Sequence, residues 1–211
     1  RLSDTMSRSE ENRTRWEERY CSGPRPWDTG MTPPEVVDFW AQKPRPSAGL
    51  AIDLGCGTGT NAAFLAGLGL DAVGIDLSLN ALLLAPHRRE SLPPAHGRRL
   101  HFAQSDVTRL PFHQAGAVYI LDVGCFHAVP AATRYDYAQG VIDNLAAGGH
   151  FHLYVFDRLP EEASDPDARG VGENEVVELF TPHLAVVEII RARPDRRPCR
   201  WYLLRRVADD R

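Results

Sequence analysis

The chain has 211 residues, 43% of them hydrophobic and 25% charged, with 28 acidic against 24 basic side chains and a formal net charge of -4. That length can bury a full core as one or two domains without a stapling device. No stretch approaches the roughly 18 consecutive apolar residues that span a bilayer, and no secretory signal pattern opens the chain, so a membrane protein or secreted precursor is not expected. Cys21, Cys56, Cys125 and Cys199 lie far apart with no C-x-x-C pair. Neither a disulfide framework nor a metal site is signalled, and a reducing cytoplasm is the expected compartment. The first methionine is Met6, and residues 1–5 are expected to be a non-native leader.

In chain order, residues 7–20 (SRSEENRTRWEERY) are polar and space Trp16 and Tyr20 at i, i+4. They predict a helix with two aromatics on one face, serving either surface packing or a lid over a site. A loop dense in Pro and Gly follows, then a short helix in EVVDFWAQK that Pro44 and Pro46 end. From residue 49 the pattern is regular: GLAIDL and DAVGID are apolar runs separated by the helical NAAFLAGLG, and SLNALLLAPHRRE predicts one helix capped by Ser78. RLHFAQSD, AGAVYILD and HFHLYVF add three strands, with a helix over 134–147 that Gly148-Gly149 stops. Such alternation predicts a parallel sheet covered on both faces. Past residue 157 the rhythm changes. A polar loop (158–172) and a short helix (ENEVVELF) lead to LAVVEIIRAR and CRWYLLRRV, an antiparallel hairpin joined through PDRRP.

The strongest local signal is Asp53-Leu-Gly55-Cys-Gly57-Thr-Gly59-Thr60-Asn61, between the first strand and the first helix of the regular region. Glycines there let the backbone turn sharply and let a ligand approach, while the helix N-terminus offers unpaired N–H groups. The spacing is G-x-G-x-G, neither the dinucleotide fingerprint nor a P-loop. Asp76 follows Gly55 by about 20 positions, where a carboxylate reaches ribose hydroxyls. Asp106, after the third strand, is placed to meet an adenine edge. Asp53, Asp76 and Asp106 thus end three successive strands on the side where doubly wound sheets bind ligands.

With the strand AVYILD, these motifs resemble a class I S-adenosylmethionine-dependent methyltransferase over residues 49–157. The resemblance implies a Rossmann-like α/β doubly wound sheet of seven strands, ordered 3-2-1-4-5-7-6 with strand 7 antiparallel. It implies a domain of residues 49–211 behind an N-terminal helical lid of residues 1–48. By position, Gly55, Gly57, Gly59 and Asn61 would line the methionine part of S-adenosyl-L-methionine, Asp76 and Leu77 the ribose, Asp106 and Val107 the adenine, with Asp53 near the amino group. Pro26-Trp27-Asp28-Thr29-Gly30 and Asp122-Val-Gly124-Cys125-Phe126-His127 are similar to the thiopurine and tellurite-resistance type of small-molecule methyltransferase. There the Trp27, Asp28 and Gly30 segment would fold over the cofactor and Asp122 would border it. The sequence departs from that type at Val123, where an arginine is usual, which removes a charged contact.

A sulfonium methyl is already activated, so the protein must chiefly align the partners and exclude water. A thiol acceptor needs little help, because its pKa of about 8.5 lies within reach of neutral pH. Oxygen or nitrogen acceptors want a base, for which His127 is the candidate, with Asp122 beside it. The other reading of His127 is a histidine packing the strand-to-helix turn. Trp16, Tyr20, Cys125, Phe126 and Arg134 are the candidate substrate contacts, each readable also as packing or solvated surface. Tyr137 shares the position of Arg134 at the start of its helix. Arg191, Arg193, Arg196, Arg197, Arg200, Arg205 and Arg206 surround Trp201 and Tyr202, a basic cluster that raises nucleic acid as an alternative partner. The acidic balance argues for a charged hairpin instead. The expectation is S-methylation of a small thiol, with S-adenosyl-L-homocysteine as product; O- or N-methylation, RNA methylation and cofactor binding without transfer are the alternatives.

Overall fold

The computed structural model describes residues 2–22, 24–42, 45–162, 169–191 and 197–208, with side chains from residue 10 onward. Its strands form one seven-stranded sheet in the order β3-β2-β1-β4-β5-β7-β6. The chain divides into two compact units, Arg1–Gly49 with Gly55–Val107, and Leu50–Leu54 with Thr108–Arg211.

The first unit opens with α1 (Leu2–Cys21) and α2 (Pro34–Ala41), the latter started by Pro34 at a position where a missing N–H costs nothing. Helix α3 (Thr60–Gly67) buries Ala62, Ala63, Leu65 and Ala66. β2 (Asp71–Asp76) pairs in parallel with β3 (Leu100–Gln104), from Ala72 opposite Leu100 to Asp76 opposite Gln104. Between them, the helix predicted over 78–90 is two. Ser78 caps α4 (Leu79–Leu84) by accepting the Ala81 N–H, but Pro86 has no N–H to continue the ladder and instead opens α5 (Pro86–Glu90). A one-turn helix, α6 (Pro94–Gly97), leads into β3.

In the second unit β1 (Leu50–Leu54) pairs in parallel with β4 (Ala117–Val123), Leu54 lying opposite Asp122. β5 (Leu145–Phe156) is parallel to β4, and β7 (Cys199–Arg206) is antiparallel to both β5 and the edge strand β6 (Leu184–Arg191). Helix α7 (Arg134–Asn144) stops three residues before the predicted end. Leu145 already pairs with Ala117, and the register slips between Ala117 and Tyr119, so the glycine pair serves a bulge inside β5. A Cβ on Gly149 would sit 2.9 Å from the Ala117 carbonyl oxygen. α8 (Glu175–Phe180) brings Phe180 onto Phe151, both fully buried. Ile52, Leu54, Ile120, Leu121, Leu153 and Leu204 complete this core. Each such side chain contributes about 1.5–3 kcal/mol of burial.

The basic cluster of the hairpin is engaged within its own unit. Arg200 is buried against Asp157, Arg197 meets Glu162, Arg191 meets Glu173, and Arg205 and Arg206 donate to the Gly148 and Ile142 carbonyls. Arg193 and Arg196 lie outside the described residues, as do part of the 158–172 loop, most of the PDRRP turn, and Pro44. No helix among the described residues is long and apolar enough to cross a membrane.

Candidate functional site

The glycine loop takes its shape from the end of β2. Gly55 and Cys56 donate to the Ile75 carbonyl, and Gly57 donates to Asp76 Oδ2 at 2.8 Å. Gly57 and Gly59 have φ of +54° and +80°, which L side chains rarely adopt. Space excludes side chains as well: a Cβ on Gly59 would lie 2.5 Å from the Phe102 ring, and one on Gly57 would lie 2.7 Å from the Tyr20 hydroxyl. Cys56 is buried with Sγ against Gly74, a small packing residue of the loop.

Asp76 is buried; its Oδ2 accepts the Gly57 N–H and its Oδ1 the Ser78 N–H at 2.9 Å. Burial pushes its carboxyl above the ordinary value against backbone bonds from Ser78, Gly57 and Leu77, and the nearby Glu17 charge adds to the rise. The carboxylate is thereby aimed, while each oxygen keeps further accepting capacity. At the first turn of α3, Thr60 Oγ1 and Asn61 Oδ1 are buried with no hydrogen-bond partner. Leu77 spends its carbonyl on Gln104, Asp106 is half-buried and Val107 buried just past β3. Positive-φ glycines, an aimed carboxylate and unmet acceptors fit a ligand bearing hydroxyls and an ammonium group, as S-adenosylmethionine does.

The N-terminal segment lies against this loop. Thr58 donates to Asp28 at 2.9 Å, and Trp27 Nε1 donates to the Tyr20 hydroxyl at 3.1 Å. Gly30 turns the chain beside Arg88. Trp16, Tyr20 and Trp27 form one aromatic cluster, Trp27 standing nearly perpendicular to both neighbours. Burial, with the nearby Asp76 charge, drives the Tyr20 hydroxyl well above its ordinary pKa, so it stays protonated. The sequence reading missed Glu17. Its carboxylate accepts the Ser78 hydroxyl at 2.7 Å and the Leu79 and Asn80 N–H groups at 2.8 and 3.0 Å. Partial burial opposes ionisation, yet these bonds hold Glu17 below the usual carboxylate range. Its position beside Trp16 in a polar helix gave no local sign of that distant cap.

The second unit holds the other predicted residues. Asp53 is buried in β1 opposite Leu121. Asp122 is fully buried at the end of β4 and accepts the Cys125 N–H at 2.7 Å, the Phe126 N–H at 2.9 Å and the Tyr137 hydroxyl at 2.6 Å. Burial pushes its carboxyl up to about 7 despite those bonds. It closes the 3-10 turn Phe126–Ala128. Phe126, expected at the substrate, is a core residue packed on Tyr137 and Phe180. Arg134, expected there too, is buried and donates to Val129, Gly170 and Glu175, so its fork ties loops together. Cys125 is half-buried.

The His127 ring stacks on Phe156 and takes that residue's N–H on Nδ1 at 3.2 Å, which leaves the ring proton on Nε2. Burial, then the charges of Arg169, Arg197 and Arg134, push its pKa down to about 3. His127 is therefore a neutral hydrogen-bond donor at pH 7, with its lone pair already used, an arrangement opposite to the one a general base needs.

The Thiopurine S-methyltransferase (TPMT) family profile matches residues 11–196. A 2-heptyl-1-hydroxyquinolin-4(1H)-one methyltransferase of Mycobacteroides abscessus is 29% identical over 172 residues, spanning 80% of this chain and 72% of that protein. A "Probable thiol methyltransferase 2" of Arabidopsis thaliana is 27% identical over 170 residues, 80% of this chain and 73% of the relative. Among solved structures, a methyltransferase from Anabaena variabilis superposes with a TM-score of 0.67 at 21% identity, over 92% of this chain and 94% of its own, a likeness in fold. The seven-stranded order, the glycine loop and a family match from α1 to the final hairpin agree: the chain belongs to the thiopurine S-methyltransferase family, small-molecule methyltransferases of class I that depend on S-adenosylmethionine.

Proposed function

We propose that this protein methylates the sulfur of a small-molecule thiol. The observation that carries this reading is the state of the segment after β4. His127 has its lone pair engaged and its pKa depressed, and Asp122 accepts three bonds in the core. Neither is a free base, and a thiol with a pKa of about 8.5 is the common acceptor that ionises without one. The name of the Arabidopsis relative points the same way.

Bound S-adenosylmethionine supplies a methyl group already activated on a sulfonium. Asp76 accepts hydroxyl hydrogen bonds from the ribose, with Leu77 beside it. Gly55, Gly57 and Gly59 let the methionine part approach the backbone, and Asn61 offers its unmet acceptor to the ammonium. Asp106 and Val107 border the adenine. The N-terminal segment works as a lid: Glu17 clamps α1 to the start of α4, and Tyr20, Trp27 and Asp28 cover the glycine loop and exclude water.

The compound in the name of the Mycobacteroides relative, 2-heptyl-1-hydroxyquinolin-4(1H)-one, bears an N-hydroxyl, which makes a hydroxyl acceptor the second reading. A labelled-methyl assay over thiols, N-hydroxy heterocycles, phenols, amines and carboxylates separates them. Turnover highest on thiols is expected; turnover confined to amines overturns the sulfur reading.

A further inference from the structure

We infer that the cleft between α5, α6 and the outer edge of β3 is a second small-molecule site, which takes a phosphate monoester with a short apolar body. It stands apart from the proposed methyl transfer and does not rest on it. Between residues 87 and 101 the chain carries four arginines and three histidines against one acid, Glu90, although the protein as a whole is acidic. That segment folds around a cleft of about 460 Å³, within the usual size of a ligand pocket. Arg89, Arg98 and His101 supply its basic lining, and Leu92 and Pro94 its apolar lining. Glu90 lines it too and offsets one of the two guanidinium charges.

Arg89 is a fixed part of the wall. Its Nη2 donates to the Leu100 carbonyl at 2.6 Å, which blunts the edge strand. Gly97 packs against it so closely that a Cβ there would lie 3.1 Å from the Arg89 carbonyl oxygen and 3.3 Å from its Cγ. The bond to Leu100 uses one donor of a five-donor fork. Arg99, the next arginine along, is spent on Asp71 at 2.9 Å. Arg98 and His101 differ: among the described residues neither side chain has a hydrogen bond or ion pair. Two guanidinium groups and an imidazole bring more donors than one carboxylate accepts, and the three terminal oxygens of a phosphate monoester match them. Like charges lining one cleft repel, and a bound anion reverses that cost. Leu100 and His101 pair with Ala72 and Val73 at the start of β2, about 13 Å of strand before Asp76. The cleft is therefore at the opposite end of these strands from the glycine loop.

Calorimetry with butyl phosphate, inorganic phosphate and butanol tests the site. Butyl phosphate is expected to bind, inorganic phosphate about fivefold or more weakly for want of an apolar body, and butanol without measurable heat. Arg98→Gln is expected to lower the affinity for butyl phosphate about tenfold or more, as loss of a charge-assisted bond requires. Arg98→Lys keeps the charge without the fork and falls between, and unchanged thermal melting shows that both variants fold. Saturating S-adenosylhomocysteine is expected to leave the butyl phosphate titration as it was. Displacement by that compound would place the phosphate at the glycine loop and overturn the second site. An absence of heat with butyl phosphate overturns it too, as does an affinity in Arg98→Gln within about twofold of wild type. Binding confined to a polyanion, tested with a twelve-nucleotide RNA, would make the segment a nucleic-acid surface instead. Equal affinity for inorganic and butyl phosphate overturns the apolar part of the ligand.

Discussion

Two strand ends in this molecule carry the same residue and use it differently. Asp76 ends β2 and Asp122 lies at the end of β4; both are buried, and burial raises both carboxyls. Asp76 accepts only backbone N–H groups, among them those of Gly57 and Ser78, and in the same unit Thr60 Oγ1 and Asn61 Oδ1 are buried with no hydrogen-bond partner. Asp122 accepts three bonds inside a core of Phe126 and Tyr137. The difference teaches that a strand-end aspartate signals a ligand only when its accepting capacity outlasts the bonds that orient it. By that measure Asp76 fits the proposed cofactor site, while the bonds of Asp122 hold the segment after β4.

The comparison breaks most clearly at Asp76. Asp76→Ala is expected to weaken S-adenosylmethionine binding by on the order of 100-fold or more, the worth of charge-assisted bonds to two hydroxyls. Calorimetry measures it, and an affinity close to wild type would remove Asp76 from the site. Asp122 answers to stability instead. Its folded pKa of about 7 lies above the ordinary 3.8. The native state thus holds a proton that the unfolded chain releases, and stability falls as pH rises through that window, by on the order of 1 kcal/mol per pH unit. Asp122→Asn is expected to flatten that slope in urea denaturation between pH 4 and 7, and a persisting slope would place the titration elsewhere.

Glu17 sharpens the contrast at a smaller scale. It is half-buried, so its three accepted bonds are partly screened, and Glu17→Ala is expected to weaken docking of α1 by about 1 kcal/mol. Hydrogen exchange in α1 should accelerate several-fold, with a matching loss of cofactor affinity; unchanged exchange would mean that α1 is held by its aromatics alone. The smallest effect is expected at His127. His127→Asn keeps an acceptor for the Phe156 N–H, and kcat should fall by less than about tenfold, against the 10²–10⁴-fold that loss of a general base costs. A larger loss, with the alkaline limb of the pH profile moved, would restore the base.

Much of the architecture is legible along the chain. The strand runs LAIDL, DAVGID and AVYILD, the glycine spacing and the position of Asp76 are local patterns, and local patterns decide elements and loop conformations. Pro86 was legible in the same way, as a residue unable to continue a helix, although the apolar periodicity on both sides concealed it. Gly148-Gly149 was not, because a helix stop and a strand bulge use the same residues, and only pairing of Leu145 with Ala117 distinguishes them.

The roles of single polar side chains belong to the tertiary structure. Arg134, Phe126 and His127 read as site residues because they stand on the loop and helix after β4, yet each is turned inward by partners far away in sequence: Glu175 and Gly170, Phe180, Phe156. Glu17 and Arg19, neighbours of the aromatics that drew attention, found their settings through Ser78 and Trp27. Sequence by itself determined where the chain turns, alternates and admits a ligand, since these follow from backbone sterics and apolar periodicity. Which polar groups remain free to meet that ligand was decided only by folding, because a hydrogen-bonding group's chemistry depends on whether a partner from elsewhere has already taken it.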